Sequence, residues 1–154
     1  PYYFPLLWLL RANHSIKVGE RTAEEIKMSV GSALSDLENP PTEYLVRGPH
    51  QVTAAPLEIP ISHREIAAWL DEPLTQIENA VVAALEATPP ELYSDISRDG
   101  IWLTGGGALL KGLAERLQRK TGIKFKIAED PLHSVARGTG IALKNIDKYQ
   151  FLIR

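Results

Sequence analysis

Apolar residues fall at helical spacing early in the chain: Ala23, Ile26, Val30 and Ala33 mark one face of a segment whose intervening positions are mostly charged or polar. Thr22 and Glu25 stand three apart, as in a capping box, so a helix is expected to start near Thr22 and to fade between Gly31 and Leu37. Glu38-Asn39-Pro40-Pro41 then breaks the pattern, because consecutive prolines remove backbone donors and push their neighbours out of helical geometry. Residues 43–47 and 57–61 alternate apolar with polar side chains around the polar segment Gly48-Pro49-His50-Gln51, which predicts a β-hairpin with a loose tip. Ser62 and Glu65 repeat the capping-box spacing and open a further helix through Ile66 and Leu70, expected to be interrupted at Pro73. A second, longer helix is expected from Glu72-Pro73, with Leu74, Ile77, Val81, Ala84 and Leu85 as its buried stripe, ending at Thr88-Pro89-Pro90.

Beyond residue 88 the pattern changes. A short helix around residues 91–96 leads to the turn signal Arg98-Asp99-Gly100 and the strand residues 101–104. A glycine turn, a helix carrying Leu109, Leu110, Leu113 and Leu117, a stop at Thr121-Gly122, a strand with Ile123, Phe125 and Ile127, and a last helix over residues 135–146 complete a βαβα unit. Such a unit predicts an α/β class with a parallel, helix-covered sheet, separated near residues 88–90 from an inserted subdomain at roughly 20–87.

The apolar run over residues 1–10 is far shorter than the about 20 residues that cross a bilayer, and it lacks the basic start of a signal peptide. It reads as a strand or the start of a helix, or else as a membrane-surface contact through Phe4 and Trp8. The 154 residues are 44% hydrophobic and 23% charged, an ordinary globular balance that can bury a core. A formal net charge of -2 offers no excess of cations to replace the counterions of nucleic acid, which disfavours such a partner. Without any cysteine the chain has no disulfide, thiolate metal site or cysteine nucleophile, which fits a reducing compartment.

Three features could carry chemistry. Gly105, Gly106 and Gly107 lie between a strand and a helix, where absent side chains let backbone approach a ligand and helix N–H groups favour an anion. The run matches neither the dinucleotide fingerprint, since Leu110 stands where its third glycine belongs, nor the P-loop, since Leu113 follows Gly112; alone it reads equally as a tight turn. Glu24 and Lys27 lie on a charged helix face that by periodicity alone is solvated surface. Glu129-Asp130 before the last helix reads as an N-terminal cap, while Gly138 and Gly140 inside that helix suggest close backbone packing. The four histidines show no metal-ligand spacing, and no serine sits on a nucleophile elbow.

Taken together, Gly19-Glu-Arg-Thr-Ala-Glu-Glu-Ile-Lys27, Val46-Arg-Gly48, Leu103-Thr-Gly-Gly-Gly-Ala-Leu-Leu-Lys-Gly-Leu113, Ala128-Glu-Asp-Pro-Leu132 and Val135-Ala-Arg-Gly-Thr-Gly140 resemble, in order and spacing, the MreB family of bacterial actin homologues. The resemblance runs from about residue 9 to 148 and implies the second half of an actin-like ATPase fold. Residues 1–19 would be the remnant of a large-subdomain helix with an atypical start, 20–87 the small outer α+β subdomain, 88–150 the βαβα part of the large subdomain, and 151–154 a tail. Gly105, Gly106 and Gly107 would then pass close to the ribose and phosphates of ATP, and the helix with Glu24 and Lys27 would close over adenine and ribose.

The family's two Asp-containing phosphate hairpins, which hold Mg²⁺ and the β- and γ-phosphates, have no counterpart here, so this segment alone is expected not to hydrolyse ATP. By resemblance the whole protein would form filaments at the cytoplasmic face of the cell membrane. It would work with membrane proteins of cell-wall elongation, its membrane contact made mainly through the missing first half. The competing expectations are a chaperone or sugar-kinase ATPase sharing the actin-like core, and an interaction module without nucleotide function.

Overall fold

The computed structural model describes residues 3–149, so the expected tail at 151–154 lies outside the described residues. The chain opens with α1 (Tyr3–His14), the helical alternative for the apolar run, burying Leu6 and Leu10 and leaving Trp8 67% exposed. The second helix, α2 (Glu20–Val30), buries the expected face, with Ala23, Ile26 and Val30 fully covered. It begins two residues before Thr22, at a Gly19 N-cap without a side-chain cap, so the expected Thr22 capping box does not form. Glu20 in the first turn complements the positive helix end.

Strands β1 (Tyr44–Pro49) and β2 (Pro56–Ile61) pair antiparallel with Val46 opposite Ile59. Gly48, expected in the tip, lies within β1, where an added Cβ would stand 2.7 Å from the Lys17 carbonyl oxygen. Close backbone approach thus explains the glycine, and the tip moves to residues 50–55.

The next helix, α3 (His63–Glu86), starts at Ser62, whose hydroxyl accepts the Glu65 N–H at 3.3 Å as the capping-box spacing predicts. It runs unbroken through Pro73, contrary to the expected interruption. Tertiary packing overrides the proline: Ile66 lies in one hydrophobic cluster with Leu10, Ile16, Ile26 and Val46, whereas Leu74 lies in a second with Leu113, Leu117, Ile123 and Phe125. One rigid helix anchored in both clusters costs less than two half-anchored ones.

After α4 (Pro90–Asp99), β3 (Ile101–Leu103) and β4 (Phe125–Ile127) pair in parallel around α5 (Leu113–Thr121), as the βαβ reading requires. Gly122 in left-handed geometry ends α5 at the expected stop. The last helix, α6 (Ser134–Lys144), has no buried residue, and a Cβ at Gly138 or Gly140 would meet nothing within 4 Å, so the expected close packing of these glycines is not found. Glu129 and Asp130 do not cap it either, since His133 holds the N-cap position.

Candidate functional site

The glycine run occupies the loop leaving β3. Gly105 has φ of 81°, and its N–H donates to the Pro131 carbonyl at 2.6 Å, while the Thr104 hydroxyl donates to the same oxygen at 3.0 Å. Gly106–Leu109 form one 3₁₀ turn, and α5 begins only at Leu113, after Gly112 at φ 77°. The run therefore does not open an α-helix as expected, because Gly112 resets the backbone between turn and helix. The loop before α6 that receives Gly105 is tied locally: His133 Nδ1 lies 3.0 Å from the Asp130 carboxylate and holds that carboxyl below its usual value. The Ser134 hydroxyl donates to the Asp130 carbonyl at 2.6 Å.

The second strap joins the glycine turn to α2. Ser32, wholly buried just past the end of α2, bridges in parallel to Lys111, and the Ala33 N–H donates to the Lys111 carbonyl at 2.8 Å. Lys111 Nζ returns to the Ser29 carbonyl at 2.8 Å. The end of α2 is thereby fixed against the exit of the glycine turn.

A third tie runs through Arg116 on α5, whose side chain is 12% exposed. Its guanidinium donates to Glu78 at 2.5 Å and Thr75 at 3.2 Å on α3 and to the Ala33 carbonyl at 3.2 Å, and it pairs with Asp71 at 2.9 Å. Burial opposes the charge, but the hydrogen bonds to Glu78 and Asp71 raise the Arg116 pKa further above its ordinary value. One side chain thus fixes α3, α5 and the segment after α2.

Beside these ties lies a cavity of about 600 Å³ whose lining includes Glu24, Lys27, Gly106 and Gly107. Four of the five residues singled out in the sequence share this wall, although they come from two well-separated segments of the chain. Gly105 is not part of the lining; its positive φ turns the loop. Glu24 and Lys27 form an ion pair of 2.7 Å at the rim, both partly exposed. Gly107 faces open space, and a Cβ on Gly106 would stand 3.4 Å from Leu132 Cδ2. Sequence reasoning did not assign Ser32, Lys111, Arg116 or Leu132 to the site, nor the α1 and α3 residues of the wall. Their partners lie up to 83 positions away, and no local spacing marks them.

The fold is part of an actin-like ATPase fold. A sequence model of the MreB/Mbl protein family matches residues 6–151, and the chain belongs to that family. It is 48% identical over 140 residues to the cell shape-determining protein MreB of Escherichia coli K12, covering 91% of this chain and 40% of that protein. It is 38% identical over 143 residues to the cell shape-determining protein Mbl of Bacillus subtilis, covering 93% of this chain and 42% of that protein. The chain therefore spans about two fifths of the length of these curated relatives. The crystal structure of MreB5 of Spiroplasma citri bound to ADP superimposes with a TM-score of 0.87 at 34% identity, over 96% of this chain and 44% of that one. The MamK double helical filament shares the fold alone, with a TM-score of 0.65 at 14% identity over 85% of this chain and 40% of that one. Family membership displaces the chaperone and sugar-kinase alternatives.

Proposed function

We propose that this chain supplies the nucleoside-facing side of an ATP site in a filament-forming, actin-like protein that determines rod cell shape. The observation that carries the reading is the shared cavity wall: Glu24 and Lys27 from α2 meet Gly106 and Gly107 from the turn after β3. The MreB5 neighbours of similar fold are bound to ADP and to AMPPNP, which supports a nucleotide as the ligand.

The lining suits the nucleoside end of such a ligand. Its walls are mostly apolar, the two glycines leave backbone uncovered, and the Glu24–Lys27 pair offers an acceptor and a donor at the rim. The lining's two lysines are already engaged, Lys27 by Glu24 and Lys111 by the Ser29 carbonyl. Among the described residues no cluster of three or more His, Asp or Glu is placed to hold a metal. In this reading the phosphates and Mg²⁺ are held by the phosphate hairpins of the complete protein, where hydrolysis would also reside.

Bound ATP would bias polymerisation to the extent that it binds the filament-competent state more tightly. In this reading the protein works in the cytoplasm at the inner face of the membrane, assembling with itself and with membrane proteins of cell-wall elongation.

The test is titration of the complete gene product with a fluorescent ATP analogue. Replacing Glu24 and Lys27 together by alanine removes two charge-assisted contacts and should weaken binding roughly tenfold or more. Gly106→Val adds a side chain beside Leu132 in the cavity wall and should abolish binding. Folded variants that bind ATP like the parent would refute the site, and no ATP binding by the complete protein would favour an interaction module without nucleotide function.

A further inference from the structure

In a continued α-helix the Ala33 N–H would return to the Ser29 carbonyl four positions back. At the end of α2 it turns away instead and donates to the Lys111 carbonyl at 2.8 Å, while the Lys111 ammonium takes the vacated Ser29 carbonyl at 2.8 Å. Residue 111 thus stands in for both members of the broken helical bond. Its cation also lies at the negative end of the α2 dipole. Lys27, the base in the last turn of α2 itself, does not fill that place, because its ammonium is paired with Glu24.

The neighbours of Lys111 are seated on the same helix end. A Cβ on Gly31 would meet the Lys27 carbonyl oxygen at 2.1 Å and Leu110 Cδ1 at 3.3 Å, so α2 and the turn approach this closely only across a glycine. Leu110 and Lys111 line the cavity with Gly106 and Gly107 of the turn and with Lys27 and Gly31 of α2. Lys111 follows Gly107 by four positions, and Ser29 follows Lys27 by two. The joint between Lys111 and Ser29 therefore sets how far apart the two binding walls stand.

We infer that Lys111 is a positioning residue for the nucleotide, coupling the order of the α2 end to the placement of the glycine turn. This rests on the nucleotide reading of the cavity, and it needs no contact between the lysine and the ligand. A ligand resting on the glycine turn holds the Lys111 backbone in place, the ammonium completes the last turn of α2, and Glu24 and Lys27 are kept at the rim. Linkage makes the effect mutual: a completed helix end favours binding, and binding favours the completed end.

Titration of the complete protein with a fluorescent ATP analogue, together with hydrogen exchange at the Gly31 amide, tests it. That amide closes the last turn of α2 on the Lys27 carbonyl at 3.0 Å. Lys111→Met, at an exposed position, keeps most of the side-chain stem and removes the cation. It should weaken binding about fivefold or more, the size of an ordinary coupling between sites, and should speed Gly31 exchange in the ligand-free protein. Lys111→Arg, which still donates to the Ser29 carbonyl, should restore both. Weaker binding with unchanged Gly31 exchange would make Lys111 a direct ligand of the phosphates, and faster exchange with unchanged affinity would leave it a structural cap; either result overturns the inference. A parent that binds no analogue overturns the nucleotide reading and this inference with it, whereas a binding parent and an unaffected Lys111→Met variant overturn the inference alone.

Discussion

Arg116→Met isolates the tie between α3 and α5. The Asp71 arm of this tie is 68% exposed and contributes little, as solvent-exposed pairs do. The Glu78 arm is different, since the two side chains are only 12% and 10% exposed and meet at 2.5 Å. Methionine fills much of the arginine stem's volume but leaves the Glu78 carboxylate buried without its cation, which costs about 3–5 kcal/mol. For a chain of this length, roughly 2–4 °C of melting temperature per kcal/mol gives a fall of roughly 6–20 °C. Replacing both partners, Arg116→Met with Glu78→Met, removes the uncompensated charge and should recover most of that loss. Urea denaturation of the two single variants and the double supplies the cycle. A single-variant loss under about 1 kcal/mol, or strictly additive losses, would refute the argument that Arg116 ties α3 to α5.

Four further outcomes are expected. Gly112→Ala should destabilise by at least about 1–2 kcal/mol in urea, because alanine is strained at φ 77° and its Cβ would lie 3.1 Å from Leu37 Cδ2; unchanged stability would show that the loop relaxes. Gly138→Ala should stabilise this chain by about 1 kcal/mol, since the added methyl meets nothing within 4 Å, and a loss would reveal a covered face on α6. Pro73→Ala should raise the unfolding free energy measured in urea by up to about 3 kcal/mol, the cost of an interior proline, whereas a decrease would mean that the ring's packing in the cavity wall outweighs the restored hydrogen bond. Asp36 and Asp130 have pKa values lowered from 3.8, by hydrogen bonds from Arg119 and His133 respectively. Their contribution is therefore present above about pH 4 and is lost as pH falls through the lower folded-state values; Asp130→Asn should flatten that acid limb of a urea-midpoint profile, and an unchanged limb would count against it.

The parts of the fold legible in the sequence are those decided by neighbours along the chain. The buried face of α2, the Ser62 cap and the Gly122 stop each depend on residues within a few positions, and each stands where local spacing puts it. The misreadings occur where distant packing decides. Pro73 looked like a helix end, yet Ile66 and Leu74 on either side anchor one helix in two clusters. Gly106 looked like the opening of an α-helix, yet Gly112 separates the 3₁₀ turn from α5. The same division governs the site. Glu24, Lys27, Gly106 and Gly107 were visible as polar or glycine exceptions within their own segments, but their meeting is produced by Ser32, Lys111 and Arg116, whose bonds reach partners up to 83 positions away. A glycine run is informative here because straps from α2 and α3 turn it towards a wall. Loosening those straps should disturb the cavity without touching any residue that a motif search would select.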